Sequence, residues 1–270
     1  MLSLRLRLSL CVLLLLAGTA LNASAQSTEQ DIKSRLKGKP LYLRGSWSEE
    51  TLRFDSKGRL IGNPKPISFT LAGFDFKSVK VKSDQVVLRG DRIGTEFDKD
   101  IAKRVEIGPL QIVIAKPADG DVNAALDAIF ADDLEALAPS LPWYWQGYAN
   151  CKLLPTTDAP RCSLYQKAVP SKDGSAMKSN KWDLPPHITH RVDATFSAYA
   201  SQMRYSGATI VSVVIKPDGN PSQLAVIHPV GLGLDEQALA AVAQYKFAAA
   251  TRNQVPIASE VEIQVDFHIF

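Results

Sequence analysis

The stretch that decides the fold of the last third of this 270-residue chain is 208–230, which reads ATIVSVVIKPDGNPSQLAVIHPV. Its first eight residues are mostly β-branched or apolar, which is typical of a buried strand. The tetrapeptide Pro217-Asp218-Gly219-Asn220 is a turn signal, because glycine takes positive φ without a steric cost. Residues 224–230 are again largely apolar. The stretch therefore predicts two antiparallel strands joined as a hairpin.

The residues on either side of this hairpin predict two helices and a third strand. Residues 194–204 place apolar side chains on one helical face, and Gly207 ends that helix. Asp235 either caps the second helix or lies in its first turn, where exposed N–H groups stabilise a carboxylate. Residues 260–270 alternate apolar and polar side chains. A half-buried strand at this position predicts a sheet edge with unpaired backbone groups.

The order and spacing of these segments resemble the TonB C-terminal domain family over residues 184–270, about a third of the chain. The resemblance implies an α+β fold in which a three-stranded antiparallel sheet carries two helices on one face. The matching residues are Pro185-Pro186, Ser206-Gly207, Asp218-Gly219, Gly231-Leu232-Gly233-Leu234-Asp235, Ala238, Tyr245-Lys246-Phe247, Pro256 and Phe267.

The resemblance also implies a function, which is binding of an extended peptide from a TonB-dependent outer-membrane receptor or another envelope protein by strand addition. The same exposed strand would equally suit pairing with a second copy of the chain, so a homodimer is an open alternative. The expected partner-binding residues are Glu260, Val261, Glu262, Ile263, Gln264, Val265, Asp266 and Phe267.

Two departures from the family pattern lie just before the last strand. Residues 248–250 are three alanines where a proline-containing turn is usual. Asn253-Gln254 stands where a glycine is usual. Both concern the geometry of the loop rather than the fold.

The first 25 residues predict a secretory signal peptide. Arg5 and Arg7 precede an apolar run, and Ala23-Ser24-Ala25 provides a small-residue cleavage site. The run is shorter than the roughly 20 residues that a spanning helix needs. We therefore expect a periplasmic protein. A retained leader that anchors the chain in the inner membrane is the alternative.

Composition excludes some partners. The chain is 46% hydrophobic and 22% charged, as in a globular protein that buries a core. Its formal charge of +3 falls to +1 without Arg5 and Arg7. A near-neutral chain has no electrostatic footprint for nucleic acid, and this net charge gives no reason to expect an anionic membrane as partner.

Two cysteines remain beyond the leader, and they predict a disulfide between Cys151 and Cys162 in an oxidising compartment. They open a segment, 150–183, that is rich in Pro, Ser, Lys, Asp and Gly and predicts a linker. The linker is short, which argues against an energy transducer that must cross the periplasm.

Residues 36–149 predict a β-rich N-terminal domain, with short strands separated by turns as in a small antiparallel sandwich or barrel. One hairpin is expected around Ser83-Asp84. Residues 121–138 change to helical spacing and predict the one helix of this domain. Residues 26–30 have the character of a frayed leader.

Residues 143–148, which read WYWQGY, form the densest aromatic cluster in the chain. One interpretation is a stacking platform for a sugar or peptide, with Trp143, Tyr144 and Trp145 as the ligand-binding side chains. The plainer interpretation is packing against the preceding domain.

We find no motif for catalysis, metal binding or a cofactor. His187 and His190 lack an acidic or cysteine companion, and no nucleophile has a local base. The sequence therefore favours a non-enzymatic periplasmic binding protein. The alternatives are a membrane-anchored energy transducer, and an exported enzyme or ligand-binding protein that uses the C-terminal module for docking.

Overall fold

The fold is that of a computed structural model, which describes residues 27–98, 101–153 and 182–269. It is α+β, with more strands than helices among these residues. The N-terminal domain (27–153) is built on a six-stranded sheet and the C-terminal domain (182–269) on a three-stranded one. Among the residues described, none of the helices has the length and apolarity that a membrane crossing requires.

The N-terminal sheet has the strand order β2-β5-β4-β3-β1-β6. The predicted hairpin around Ser83-Asp84 is present, with Val81 opposite Val86. The prediction of a small antiparallel sandwich or barrel is wrong, because the strands form one mixed sheet in which β2 runs parallel to β5. The six strands are β1 (Leu41–Leu43), β2 (Thr51–Phe54), β3 (Gly73–Val81), β4 (Gln85–Asp98), β5 (Ile101–Ala115) and β6 (Phe130–Ala131).

The N-terminal domain has more helices than the one predicted; they are α1 (Glu29–Leu36), α2 (Asn123–Ile129), α3 (Leu134–Leu137) and α4 (Trp143–Tyr148). The expected helix over 121–138 is interrupted because Phe130 and Ala131 pair with β1. Asp133 then caps a new helix by accepting the Ala136 N–H at 2.7 Å.

The segment expected to be frayed instead leads into α1. Thr28 and Asp31 form a reciprocal capping box, which satisfies backbone N–H groups that the first turn leaves free. Ile32 and Leu36 are buried against one face of the sheet, together with side chains of α2. The core of the N-terminal domain therefore lies between this face and the two helices.

The C-terminal domain contains the predicted hairpin and the predicted third strand. Its sheet has the order β13-β8-β9, with all pairs antiparallel. The first helix is shorter than the predicted 194–204, since Ser197 caps it and it begins only at Ala198, four residues later than expected. The elements are β7 (His187–His190), α5 (Ala198–Gln202), β8 (Gly207–Ile215), β9 (Pro221–His228), α6 (Leu234–Val242), β10 (Lys246–Ala248), β11 (Ala250–Arg252), β12 (Val255–Ile257) and β13 (Ser259–Phe267).

Three predictions fall wholly or partly outside the residues described. These are the signal peptide over 1–25, most of the linker, and Cys162. Cys151 lies in the π-helical turn Ala149–Leu153 that follows α4. Its disulfide with Cys162 stays a prediction.

Candidate partner-binding surface

Strand β13 has one paired edge and one open edge. Its nine residues pair antiparallel with β8, from Ser259 opposite Ile215 to Phe267 opposite Gly207. Among the residues described, no other strand pairs with β13, and its backbone has no further partner outside this ladder. The N–H and C=O groups that point away from β8 are therefore available to an added strand.

The two faces of β13 differ in chemistry. Val261, Ile263, Val265 and Phe267 pack into the core of the C-terminal domain. The Phe267 ring meets the Phe196 ring edge to face, with centroids 5.5 Å apart. This packing fixes the strand in position and leaves its backbone edge uncovered.

The opposite face of β13 is polar and mostly acidic. Glu262, Gln264 and Asp266 are exposed, and Glu260 is half-buried. Glu260 accepts a hydrogen bond from the Ser212 hydroxyl at 2.9 Å. An added strand would therefore meet a row of negative charge next to the open backbone groups. The structure thus brings the eight predicted residues together along one edge.

The other edge of the same sheet, β9, is covered. Helix α4 of the N-terminal domain packs along it. Val226 of β9 is fully buried in one cluster with Trp145 and Tyr148 of α4. Access for a new strand on this side would require α4 to leave.

The loop before α6 docks into the N-terminal domain through backbone hydrogen bonds. The Phe97 N–H donates to the Val230 carbonyl and the Leu232 N–H donates to the Thr95 carbonyl, each at 3.0 Å. Gly231 forms a β-bridge with Glu96. Strand β4 of the N-terminal domain and this loop of the C-terminal domain are thus joined by a short antiparallel pairing.

Glycine is required at position 231 for two reasons. Its φ is +96°, a region that side chains other than glycine's rarely adopt. A Cβ there would also lie 2.1 Å from the Thr95 carbonyl oxygen. The glycine at position 231 is therefore explained by the contact between the domains.

Asp235 holds the same loop from inside. It is fully buried, and its carboxylate accepts the N–H groups of Val230 and Gly231 at 2.8 Å each. Burial raises the pKa of Asp235 to about 6, and these hydrogen bonds oppose the rise. Asp235 lies in the first turn of α6, where the capping position is Gly233.

Glu236 links α6 to the aromatic cluster. The Trp145 Nε1–H donates to the Glu236 carboxylate at 2.8 Å. Burial, followed by the charge of Asp235, raises the pKa of Glu236 to about 7. A carboxylate with a raised pKa thus lies at the contact between the two domains.

The aromatic cluster is mainly a packing element. Trp145 and Tyr148 are fully buried. Trp145 meets Phe69 edge to face at 4.5 Å, and Tyr148 meets Phe97 at 5.7 Å. The cluster packs on the preceding domain, as the plainer interpretation held, and also on β9, which the sequence did not indicate.

Tyr144 lines a half-open cleft of about 200 Å³ together with Trp47 and Pro142. Arg44 provides the one guanidinium that lines this cleft, and this group already donates to the backbone carbonyls of Asp127 and Ala136. Burial raises the pKa of the Tyr144 phenol to about 12. Trp143 is 60% exposed and does not line the cleft. The three side chains that the sequence suggested for ligand binding therefore do not form one site. Trp143 is exposed, Tyr144 lines the cleft and Trp145 is buried.

The order of strands and helices in the C-terminal domain agrees with a known family. Residues 192–269 match the family model described as Gram-negative bacterial TonB protein C-terminal. This segment is a TonB C-terminal domain. No curated protein matches the chain. The match covers the three-stranded sheet of the C-terminal domain and does not extend into the N-terminal domain.

One departure from the family pattern has a structural counterpart in this TonB C-terminal domain. Asn253 and Gln254 form the two-residue loop between β11 and β12, and both have positive φ, +51° and +67°. A hairpin loop with two positive φ values favours Asn at the first position and Gly at the second. Gln254 is therefore strained where the family commonly has glycine.

Proposed function

We propose that this protein is a non-enzymatic periplasmic binding protein whose TonB C-terminal domain adds the extended peptide of an envelope partner to β13. The observation that carries the proposal is the open edge of β13, on a sheet whose other edge is covered. An outer-membrane receptor is the kind of partner that the TonB C-terminal domain suggests.

Affinity would come chiefly from the main chain. A strand of nine residues directs about half of its N–H and C=O groups outward, in alternation. Each new hydrogen bond contributes about 0.5–1.5 kcal/mol net, and ordering of the peptide opposes this. The partner sequence is then loosely constrained, and binding is reversible.

Specificity would come from the exposed polar face of β13. Glu262 and Asp266 lie beside the open edge and have no cationic partner among the residues described. Cross-strand pairs of opposite charge stabilise a sheet, whereas like charges directly opposite destabilise it. The favoured peptide therefore alternates apolar residues with Lys or Arg.

The test uses proline at two adjacent positions, Glu262→Pro and Ile263→Pro. Neighbouring residues of a strand direct their N–H groups to opposite edges, so one proline breaks the ladder with β8 and the other removes an outward N–H. The probes are synthetic peptides from the periplasm-facing segments of outer-membrane receptors of the same bacterium, with binding measured by calorimetry.

The variant that keeps the ladder with β8 should be the better folded of the two, and thermal unfolding identifies it. We expect this variant to bind the peptides at least about tenfold more weakly than the parent protein. The side-chain contribution is tested by Glu262→Lys, with Glu135→Lys as a control, since Glu135 is an exposed acid on α3. Parental affinity in a folded variant that lacks the outward N–H would contradict the proposal.

A further inference from the structure

A second surface lies on the N-terminal domain, far along the chain from β13. It is a shallow groove of about 170 Å³ on the face of the sheet opposite α1 and α2. We call it the basic groove, and it is lined by Arg53, Lys80, Lys82, Gln85, Val87, Arg89, Gln111 and Val113.

The strand register brings the four cations together from separate parts of the sequence. Arg53 of β2 lies opposite Val113 of β5, which lies opposite Val87 of β4. Val87 in turn lies opposite Lys80 of β3. This row crosses four strands, so its two end cations are about 14 Å apart at the backbone.

Two valines form the floor of the basic groove. Val87 and Val113 are each only 6% exposed. Long basic side chains can cover apolar surface with their stems while the charged heads stay in water. All four cationic residues are at least partly exposed, so their heads surround this floor.

Within 27–98, 101–153 and 182–269, the cations of the basic groove have no counter-ion. No carboxylate lines it, and none of the ion pairs within the described residues includes Arg53, Lys80, Lys82 or Arg89. Arg89 donates to the side-chain amide oxygen of Gln111 at 3.3 Å, which leaves its positive charge without a carboxylate among these residues.

Further along the same strands, cations are paired. Lys77 bonds Asp91, and Arg104 bonds Asp75 at 2.5 Å. These two cations of the same sheet each have a carboxylate partner, and the four cations of the basic groove do not. Four like charges placed together favour an external anion, because none of the residues that the structure describes neutralises them.

The shape and lining of the basic groove narrow the class of anion. No aromatic side chain lines it, so the bases of a single-stranded nucleic acid would find no stacking platform. Its cations span more than one phosphate group, which disfavours a single free phosphate. A flat face of this kind suits a surface that carries many phosphates.

We propose that the basic groove binds the phosphate groups of anionic phospholipids, so that the N-terminal domain rests on a membrane surface of the envelope. The near-neutral net charge of the chain does not reveal this surface, because the compensating acids lie elsewhere. The apolar floor is buried, so contact is electrostatic and involves headgroups rather than acyl chains.

The test is flotation of the full-length mature protein with vesicles of phosphatidylglycerol and phosphatidylcholine in equal amounts, and with phosphatidylcholine alone. The variant is Arg53→Gln, Lys80→Gln, Lys82→Gln and Arg89→Gln combined. The matched control neutralises four exposed lysines outside the groove, Lys33→Gln, Lys37→Gln, Lys57→Gln and Lys65→Gln, so that net charge is equal.

We expect binding to the anionic vesicles only, with the groove variant weaker by about a hundredfold or more, since each Lys or Arg near such a surface contributes about fivefold. The control should retain most of the affinity, and raising the salt concentration should weaken binding. Equal loss in both variants, no vesicle binding, or binding of inorganic phosphate or an oligonucleotide in place of vesicles would overturn the proposal.

Discussion

The two edges of the C-terminal sheet differ in whether another element covers them. Strand β9 is closed by α4, whose Trp145 and Tyr148 bury Val226. Strand β13 has its apolar face in the core and its outer backbone edge open. The sheet of the C-terminal domain therefore has two edges that could pair with another strand. The N-terminal domain covers the edge at β9, and only the edge at β13 remains open among the residues described.

This difference assigns a structural role to the N-terminal domain that no local motif suggests. The docked loop at Gly231, the buried Asp235 and the Trp145–Glu236 hydrogen bond hold the domains together around the closed edge. We infer that weakening this contact affects stability first. Binding at β13 should be little changed as long as the C-terminal domain stays folded.

The largest expected effect is that of Trp145→Ala. This change removes a fully buried indole that contacts Phe69 and Tyr148, and it removes the Trp145 N–H that donates to Glu236. The expected loss is about 3–5 kcal/mol in the free energy of unfolding, measured by urea denaturation. Trp143→Ala is the control, because Trp143 is 60% exposed, and a comparable loss there would contradict the role given to the closed edge.

Gly231→Ala should have the next largest effect. The new Cβ would clash with the Thr95 carbonyl and hold a disfavoured φ, for a loss of about 2 kcal/mol or more. Gly38→Ala separates the two causes, since Gly38 has φ +77° and a Cβ added to it would meet no atom within 4 Å. That control should lose about 1 kcal/mol. Equal losses in thermal unfolding would mean that the docking contact contributes little.

The pH dependence of stability should change in Glu236→Gln. The pKa of Glu236 is raised in the folded protein, so the folded state binds more protons, and stability falls as pH rises from about 4.5 to about 7. Glutamine keeps an oxygen for the Trp145 N–H and removes this fall, which is on the order of 2 kcal/mol. Tyr144 and Asp235 also face Glu236 and remain in the variant.

The measurement is the difference in unfolding free energy between parent and Glu236→Gln at pH 5 and pH 7.5. The variant should gain relative to the parent at the higher pH. The control is Glu135→Gln, at an exposed position on α3. Its difference in unfolding free energy from the parent should be the same at pH 5 and at pH 7.5. If the difference in unfolding free energy between parent and variant were the same at both pH values, folding would not raise the pKa of Glu236.

The smallest expected effect is a gain. Gln254→Gly relieves positive φ in the loop before β13 and should stabilise the protein by about 0.5–1 kcal/mol in thermal unfolding. Asn253→Gly should gain less, because Asn tolerates this conformation better. Peptide binding at β13 should be unchanged in both variants. A change in affinity would mean that this loop sets the geometry of the open edge.

The elements that could be predicted from the sequence are those with local signals. The hairpin of β8 and β9 follows from β-branched runs around Pro217-Asp218-Gly219, and β13 follows from strict alternation. Helix α1 also has a local signal, although the sequence analysis did not predict this helix, since Thr28 and Asp31 have the spacing of a capping box.

The closed edge could not be predicted in this way. The contacts of Trp145 with Phe69 and Glu236 join residues about 75 and 90 positions apart, and periodicity carries no information about such pairs. The parallel pairing of β2 with β5 is hidden for the same reason. The basic groove could not be predicted from net charge, because net charge sums acidic and basic residues that the fold places on different surfaces.

The proposed peptide binding requires β13 to be an open strand that pairs with a partner. Amide hydrogen exchange resolved by residue, with and without a bound receptor peptide, tests this pairing without any substitution. We predict fast exchange at alternate residues of 259–267 in the free protein, and protection of those same amides on binding, with β9 unchanged. Uniform protection of β13 in the free protein, or new protection confined to another strand, would show that β13 is not the docking edge.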